Sequence, residues 1–414
     1  MKFWFKQKLH VQIFVCIVIG IVLGLVMGEK ATVLGPIGEV FLRLLKMLIV
    51  PLTFFTLVSG VTKMEDIKSL KSVGGRIILY YAISSLLAAA VGMVVAIIVK
   101  PGKEVIGLLA QDQAIQVTEY NFIDNMVSWI PDNVINAMAT ANMLQIIFFA
   151  VFVGIALLLV GDKAKNFVNI INEGTEIMLK ITDLVMKFSP YGILALIAEM
   201  VGTLGTAMIT EVGKFILTDY IGLIIVLGLI YPIVLKGLGK VNVVKFYKAI
   251  SPAMLVAAST TSSAATLPIS MNVAEKSLKI PEKIYGFTLP LGATVNMNGM
   301  AVVLGVISVF ACNVYDIPIT FGLMLQFVFL GLVLSVGAAG VKGAGIVMST
   351  ILLQSLNLPL TLVPIFAAIW PIIDIGHTTT NITGDIVGTM IVSSRLGEVD
   401  VKEFNKSEIG SVNA

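Results

Sequence analysis

The sequence predicts an all-α polytopic membrane protein, with eight spanning helices and two re-entrant helical hairpins. Three observations carry that prediction. Of the 414 residues, 57% are hydrophobic and only 13% charged, and the mean hydropathy is +0.98, which exceeds what a soluble domain tolerates. Apolar stretches of about 20 residues, the length a helix needs to cross a bilayer, recur along the whole chain. Two further apolar stretches hold too many hydroxyls or glycines at their centres to cross as ordinary helices. No segment reads as a separate soluble domain. The net charge of +3 comes from lysines at membrane edges, and no basic run carries the interleaved aromatics of a nucleic-acid face. Cys16 and Cys312 lie in separate apolar segments and offer neither a disulfide framework nor metal-ligand spacing.

The first apolar run, 11–28, follows the basic "MKFWFKQKLH". With no small-residue cleavage site after it, it is read as the first spanning helix rather than a signal peptide. The next spans are expected at 37–61, 77–99, 133–161, 167–204 and 217–235. Lysines and arginines fall on alternate loops: Lys2, Lys6 and Lys8; Lys63, Lys68, Lys71 and Arg76; Lys163 and Lys165; Lys236, Lys240, Lys245 and Lys248; Arg395, Lys402 and Lys406. The positive-inside rule places those loops and both termini in the cytoplasm. After 217–235 comes "SPAMLVAASTTSSAATLPISMNV", with Pro252 and Pro268 near its ends and five hydroxyl residues, Ser259 to Ser263, at its middle. Lysines flank it on both sides, so both ends belong in the cytoplasm and a re-entrant hairpin over about 246–279 satisfies both facts. A span at 284–312 follows. The stretch "FLGLVLSVGAAGVKGAGIVMSTILLQSLNLPL" has glycines at 337, 340, 343 and 345, which predicts a second hairpin, about 321–358, entering from the opposite side. Broken helices in corresponding positions point to a transporter binding site. Each hairpin precedes a span with an Asn-x-x-Gly string, "GATVNMNGM" and "GHTTTNITGD", a hint of inverted repeats.

The last span, 362–393, contains "DIGHTTTNITGDIV". Helical geometry puts His377, Thr378, Asn381 and Asp385 at roughly −60°, +40°, −20° and +20° from Asp374, all on one face. Ionisable groups at bilayer depth cost at least a few kcal/mol each, so such a stripe faces partners, a polar interior or ligands. An interhelical hydrogen-bond network is one reading. A ligand site is the other: carboxylate, amide oxygen and carbonyls from unwound helix ends are hard oxygen donors suited to Na⁺.

The strings "FLRLLKMLIVPLTF", "SPYGILALIAE", "STTSSAATLPISM", "LPLGATVNMNGMA", "SVGAAGVKGAG" and "DIGHTTTNITGDIVGT" resemble the dicarboxylate/amino acid:cation symporters, the family of the archaeal aspartate and the mammalian glutamate and neutral amino acid transporters. The resemblance covers nearly the whole chain. It implies the glutamate-transporter-homologue fold, a homotrimer in the cell membrane, and a mobile transport domain (71–110 and 211–414) working elevator-fashion against a scaffold (1–70 and 125–210). It also implies roles. Asp374 would take a substrate ammonium group. Asn381, Thr378 and the backbone around Thr261, Ser262, Ser263, Val341 and Gly343 would hold the α-carboxylate. Gly292, Asn296, Asn381 and Asp385 resemble one sodium site; Thr294 with Ser335, Val336 and Ala338 resembles a second; Tyr81, Ser84, Ser85, Asn296 and Asn298 resemble a third.

Three positions depart from the family's pattern. Members with acidic substrates carry an arginine at the position of Thr261 or of His377. A mostly neutral imidazole cannot replace a guanidinium fork, so the expected substrate is a small neutral amino acid. The alternative is an acidic amino acid or dicarboxylate, with protons coupled through His377. Asn298 stands where an aspartate is usual and weakens the third site, leaving two or three Na⁺ ions. Met300 replaces a hydroxyl residue beside the substrate side chain, and Lys342 replaces a proline in the outer hairpin tip. Enzyme chemistry fits poorly: Asp374 and Asp385 lie about 16 Å apart along one helix, and the serine run lacks a nucleophile-elbow setting. A channel lined with hydroxyls and carbonyls is the remaining rival.

Overall fold

The computed structural model describes residues 7, 9–62, 71–105, 127, 129–336 and 344–406. Among them every regular element is helical. In chain order these are α1 (Leu9–Met27), α2 (Gly35–Thr62), α3 (Lys71–Val99), α4 (Val134–Ala139), α5 (Met143–Val160), α6 (Lys165–Leu204) and α7 (Thr206–Ile225). Then follow α8 (Tyr231–Val234), α9 (Val243–Thr260), α10 (Ser263–Lys276), α11 (Glu282–Val295), α12 (Asn298–Val314), α13 (Phe321–Val336), α14 (Ala344–Ser355), α15 (Val363–Arg395) and α16 (Val401–Lys406). Among the described residues, six stretches are long and apolar enough to cross a membrane. Four of them each contain two helices: Val11–Thr62 holds α1 and α2, Gln145–Thr203 α5 and α6, Ala207–Gly239 α7 and α8, and Glu282–Val314 α11 and α12.

Several expected spans take a different form. The span expected at 133–161 is two helices, because Asn133 and Asn142 each cap a separate helix start, accepting from the amides of Asn136 and Gln145. An asparagine side chain that bonds the backbone competes with continuation of the preceding helix. The span expected at 217–235 runs from 206 to 239, with π-helical turns at Val226–Ile230 and Leu235–Gly239 on either side of α8. The span expected at 284–312 breaks at Asn296–Met297.

Close backbone contacts set the layers. In α1, a Cβ on Gly20 or Gly24 would fall 2.8 or 2.7 Å from the carbonyl oxygens of Leu194 or Ala198 in α6, the small-xxx-small device that lets membrane helices touch. The α3–α12 crossing uses the same device from both sides: Gly92 lies against the Val302 carbonyl and Gly305 against that of Ala89. α12 is buried over nearly its whole length, the central position that its all-round apolar surface dictates. Cys16 in α1 and Cys312 in α12 are free and buried.

At the first expected hairpin, α9 ends at Thr260 and α10 begins at Ser263. Thr261 adopts the left-handed conformation (φ 48°) and Ser262 caps α10, its hydroxyl accepting from the Ala265 amide. A β-branched residue in that conformation is strained by about 1–3 kcal/mol. At the second, α13 and α14 flank residues 337–343, so the expected contributions of Ala338, Val341, Lys342 and Gly343 lie outside the described residues.

Candidate functional site

α15 runs unbroken across Asp374 and Asp385. Asp374 stands about 17 Å along the helix from its start. There it borders a cavity of about 850 Å³. The same cavity is lined by Ser259, Thr260, Thr261 and Ser262 at the end of α9 and the turn into α10, by Ile346 of α14 and Trp370 of α15, and by Leu9, Ile13 and Met186 of α1 and α6. Asp374 is the one charged residue among the described lining residues. The first backbone amides of α10 emerge at the same turn, next to Ser263, and a helix N-terminus is a ready place for a carboxylate. Carboxylate, hydroxyls and helix N-terminus together are what a zwitterion requires.

Asn381, Thr378 and Met300 are buried and do not line that cavity. Asn381 instead holds the break between α11 and α12: its Oδ1 accepts from the Gly299 amide at 2.7 Å, and its Nδ2 lies 3.2 Å from the Met297 sulfur.

Behind the break the expected cation ligands converge. Asp385 is 1% exposed, and its Oδ1 accepts from Asn296 Nδ2 at 2.8 Å. It forms no salt bridge among the described residues. Gly292 packs so tightly that a Cβ there would lie 2.6 Å from both Asp385 Oδ1 and the Tyr81 hydroxyl. Tyr81 donates to the Thr288 carbonyl at 2.8 Å. Ser84 Oγ lies 3.2 Å from Asn296 Oδ1 and 3.4 Å from Asn298 Oδ1, and Ser85 donates to Asn298 Oδ1 at 2.9 Å. Asn298 Nδ2 donates to the Tyr231 hydroxyl at 2.8 Å, which donates in turn to the Thr380 carbonyl at 3.1 Å. A buried carboxylate without a cationic partner is strongly unfavourable. The donor set fits a hard monovalent cation, which would supply the missing charge.

Of the second expected cation set, Thr294, Ser335 and Val336 lie among the described residues. The hydroxyls of Thr294 and Ser335 bond back to the carbonyls of Leu291 and Leu332 within their own helices, at 2.9 and 2.8 Å. Val336 is half-buried.

The sequence profile of the sodium:dicarboxylate symporter family matches residues 9–395. The chain belongs to that family. This symporter is similar to the proton/sodium-glutamate symport protein of Bacillus caldotenax, with 29% identity over 398 residues and 94% of each chain covered. It is also similar to the C4-dicarboxylate transport protein of Geobacter sp. strain M21, at 30% identity over 97% of this chain and 93% of that one. C4-dicarboxylate transport protein 2 of Pseudomonas aeruginosa PAO1 matches at 29% identity over 99% of this chain and 95% of that one. The family consists of symporters, so the protein is a multi-pass membrane transporter and not an enzyme.

His377 departs from the rest of the stripe. Its ring turns away from the cavity of this symporter and is buried against α7, Nε2 lying 2.9 Å from Asp219 Oδ2, with side-chain exposures of 1% and 0%. Trp370 covers the ring, with centroids 5.5 Å apart. Nδ1 of His377 and Oδ1 of Asp219 have no hydrogen-bond partner among the described residues. Sequence reasoning missed Asp219, although a carboxylate inside an apolar span is itself the signal that could have found it. Tyr231, the hydroxyl that ties Asn298 to α15, was also missed.

Proposed function

We propose that this symporter takes up a small neutral amino acid together with Na⁺. One observation carries the reading: Asp374 is the one charge among the described residues lining the cavity, which it shares with hydroxyls and a helix N-terminus. An ammonium group answers Asp374, and the amides at the start of α10 answer the α-carboxylate. No lysine or arginine among the described lining residues would receive a further carboxylate. His377, one of the two positions for such a partner, is committed to Asp219. The opposing reading, an acidic amino acid or C4-dicarboxylate carrier coupled to Na⁺ or H⁺, is favoured by the names of the relatives. A dicarboxylate, however, brings no ammonium and would set like charges against Asp374.

Two coupled sodium ions are proposed. Asp385, Asn296, Gly292 and Asn381 would hold the first, and Thr294 with Ser335, Val336 and Ala338 the second. Asn298 supports the lower number. Its side-chain oxygen accepts from the Ser85 hydroxyl and its nitrogen donates to Tyr231, the wiring of a neutral structural node rather than of a cation ligand.

We read the chain as eight membrane crossings plus two re-entrant hairpins, α9–α10 and α13–α14, with both termini cytoplasmic. α1, α2, α5 and α6 belong to the trimeric scaffold, and α3 with α7 to α15 to the transport domain. The cavity's position supports that division, since Leu9, Ile13 and Met186 bound one side and hairpin and α15 residues the other.

The test is uptake into proteoliposomes, screening the twenty amino acids and succinate against imposed Na⁺ and pH gradients. Saturable, Na⁺-driven accumulation of alanine, serine, threonine or cysteine is the expected result. Preferential accumulation of aspartate, glutamate or succinate overturns the neutral assignment, and accumulation driven by pH alone overturns Na⁺ coupling. Flux that never accumulates against a gradient marks a channel.

A further inference from the structure

A second cavity, about 270 Å³, lies behind the cation cluster, between α3, the π-bulged turns around α8 and the end of α15. Its walls include Leu79, Ile83 and Leu87 of α3 and Ile230, Val234 and Leu238 near α8. Leu79, Ile83, Leu87 and Leu238 are exposed. The flanking π turns widen that stretch of helix, a feature frequent at functional sites.

The groove is charged at one end only. Arg76 and Arg395 stand there, both exposed, with Arg76 Nη1 3.5 Å from the Arg395 carbonyl oxygen. Neither joins a salt bridge among the described residues. One turn along α3, about 6 Å deeper, Tyr80 lines the groove. Its buried hydroxyl has no hydrogen-bond partner among the described residues. From Arg76 to Leu87 the helix rises about 16 Å, half the hydrocarbon thickness of a bilayer.

We propose that this groove binds an anionic glycerophospholipid, its phosphate between Arg76 and Arg395 and one acyl chain along Leu79, Ile83 and Leu87. Guanidinium groups match a phosphate's planar pairs of oxygens, and a basic pocket at the membrane edge is a general solution for anionic headgroups. The Tyr80 side chain forms part of the groove wall between the arginines and the apolar stretch of α3. The groove's length suits one leaflet. Ser84 and Tyr231 form part of its wall and also bond to Asn298, so a bound chain dries the outer side of the cluster that carries Asp385.

Native mass spectrometry of the detergent-purified full-length protein, titrated separately with phosphatidylglycerol and phosphatidylcholine, tests the proposal. It does not depend on which substrate is carried. The wild type is expected to prefer phosphatidylglycerol. The double variant Arg76→Gln/Arg395→Gln should bind it about thirtyfold more weakly and lose the preference, at about fivefold per arginine. Ile83→Trp should weaken both lipids by filling the groove. Because the arginines are exposed, the substitutions leave the core intact. Should the double variant nonetheless misfold, loss of phosphatidylglycerol from the wild type at raised ionic strength serves as the same readout. Equal retention of both lipids by the wild type, or unchanged phosphatidylglycerol binding by the double variant, overturns the proposal. Displacement of the lipid by millimolar inorganic phosphate overturns it in favour of a free-anion site. A change of oligomeric mass in the double variant without any lipid difference overturns it in favour of contact with a second copy.

Discussion

Asp374 and Asp385 share one helix and meet opposite surroundings: the first borders the hydroxyl-lined cavity, the second is sealed among amides and hydroxyls. Their substitutions are therefore expected to separate. Asp374→Asn should weaken amino acid binding by at least about thirtyfold, the cost of truncating one member of a buried charge pair. Na⁺-dependent thermal stabilisation of the purified protein should remain. Asp385→Asn should strongly weaken that stabilisation and lower the Na⁺ dependence of any uptake that persists; thermal shift against NaCl and choline chloride checks both. Asp219 predicts a different outcome. Asp219→Ala leaves both ring nitrogens of His377 buried without a partner, at a cost of about 1–3 kcal/mol, read as a fall in melting temperature. The stripe on the last span was legible because its polar residues share one helical face. Its division was not, since the 60° offset of His377 acquires meaning only from α7, whose crossing no local pattern announces.

At the scale of elements, glycines decide how close the helices come. A Cβ on Gly345 of α14 would lie 1.5 Å from Trp370 Cζ2, with Trp370 also lining the cavity. Gly345→Val must push the indole into the cavity or lift α14 off α15. Overpacking of this kind costs about 1–3 kcal/mol, and substrate affinity is expected to fall about tenfold or more, measured by isothermal titration. Thr261→Gly acts in the opposite sense, relieving a left-handed β-branched residue at the α9–α10 turn. It should raise the melting temperature or leave it unchanged, while altering which amino acids compete for uptake. The break between α9 and α10 was readable from a hydroxyl run that defeats an ordinary span. The break at Asn296–Met297 was not, because an Asn-x-Asn string in an apolar run is equally compatible with a continuous helix whose amides face a neighbour. Nor were the π turns, which leave the apolar pattern unchanged.

Across the whole molecule, the cavity is lined by residues of α1 and α6 together with α9, α10, α14 and α15. If the two groups move against each other during transport, bridging them must stop the cycle. Met186→Cys on α6 and Ala265→Cys on α10, joined by a flexible bis-maleimide, are expected to lose uptake more completely than either single variant treated alike, whose adduct only crowds the cavity; full activity in the bridged protein would contradict elevator movement. The membrane class and the order of helices followed from apolar length, because lipid leaves few alternatives for the backbone. The pairing of distant helices did not, since the glycines that mate α3 with α12 look like any others in sequence.

The burial of Cys16 and Cys312 has a practical outcome. Thiol reagents meet two native sulfurs that are both shielded by surrounding side chains, so an introduced surface cysteine should label selectively in the otherwise unaltered chain. Fluorophore pairs on such positions would then report the motion of individual carriers in real time, without first removing residues that fill the protein's interior.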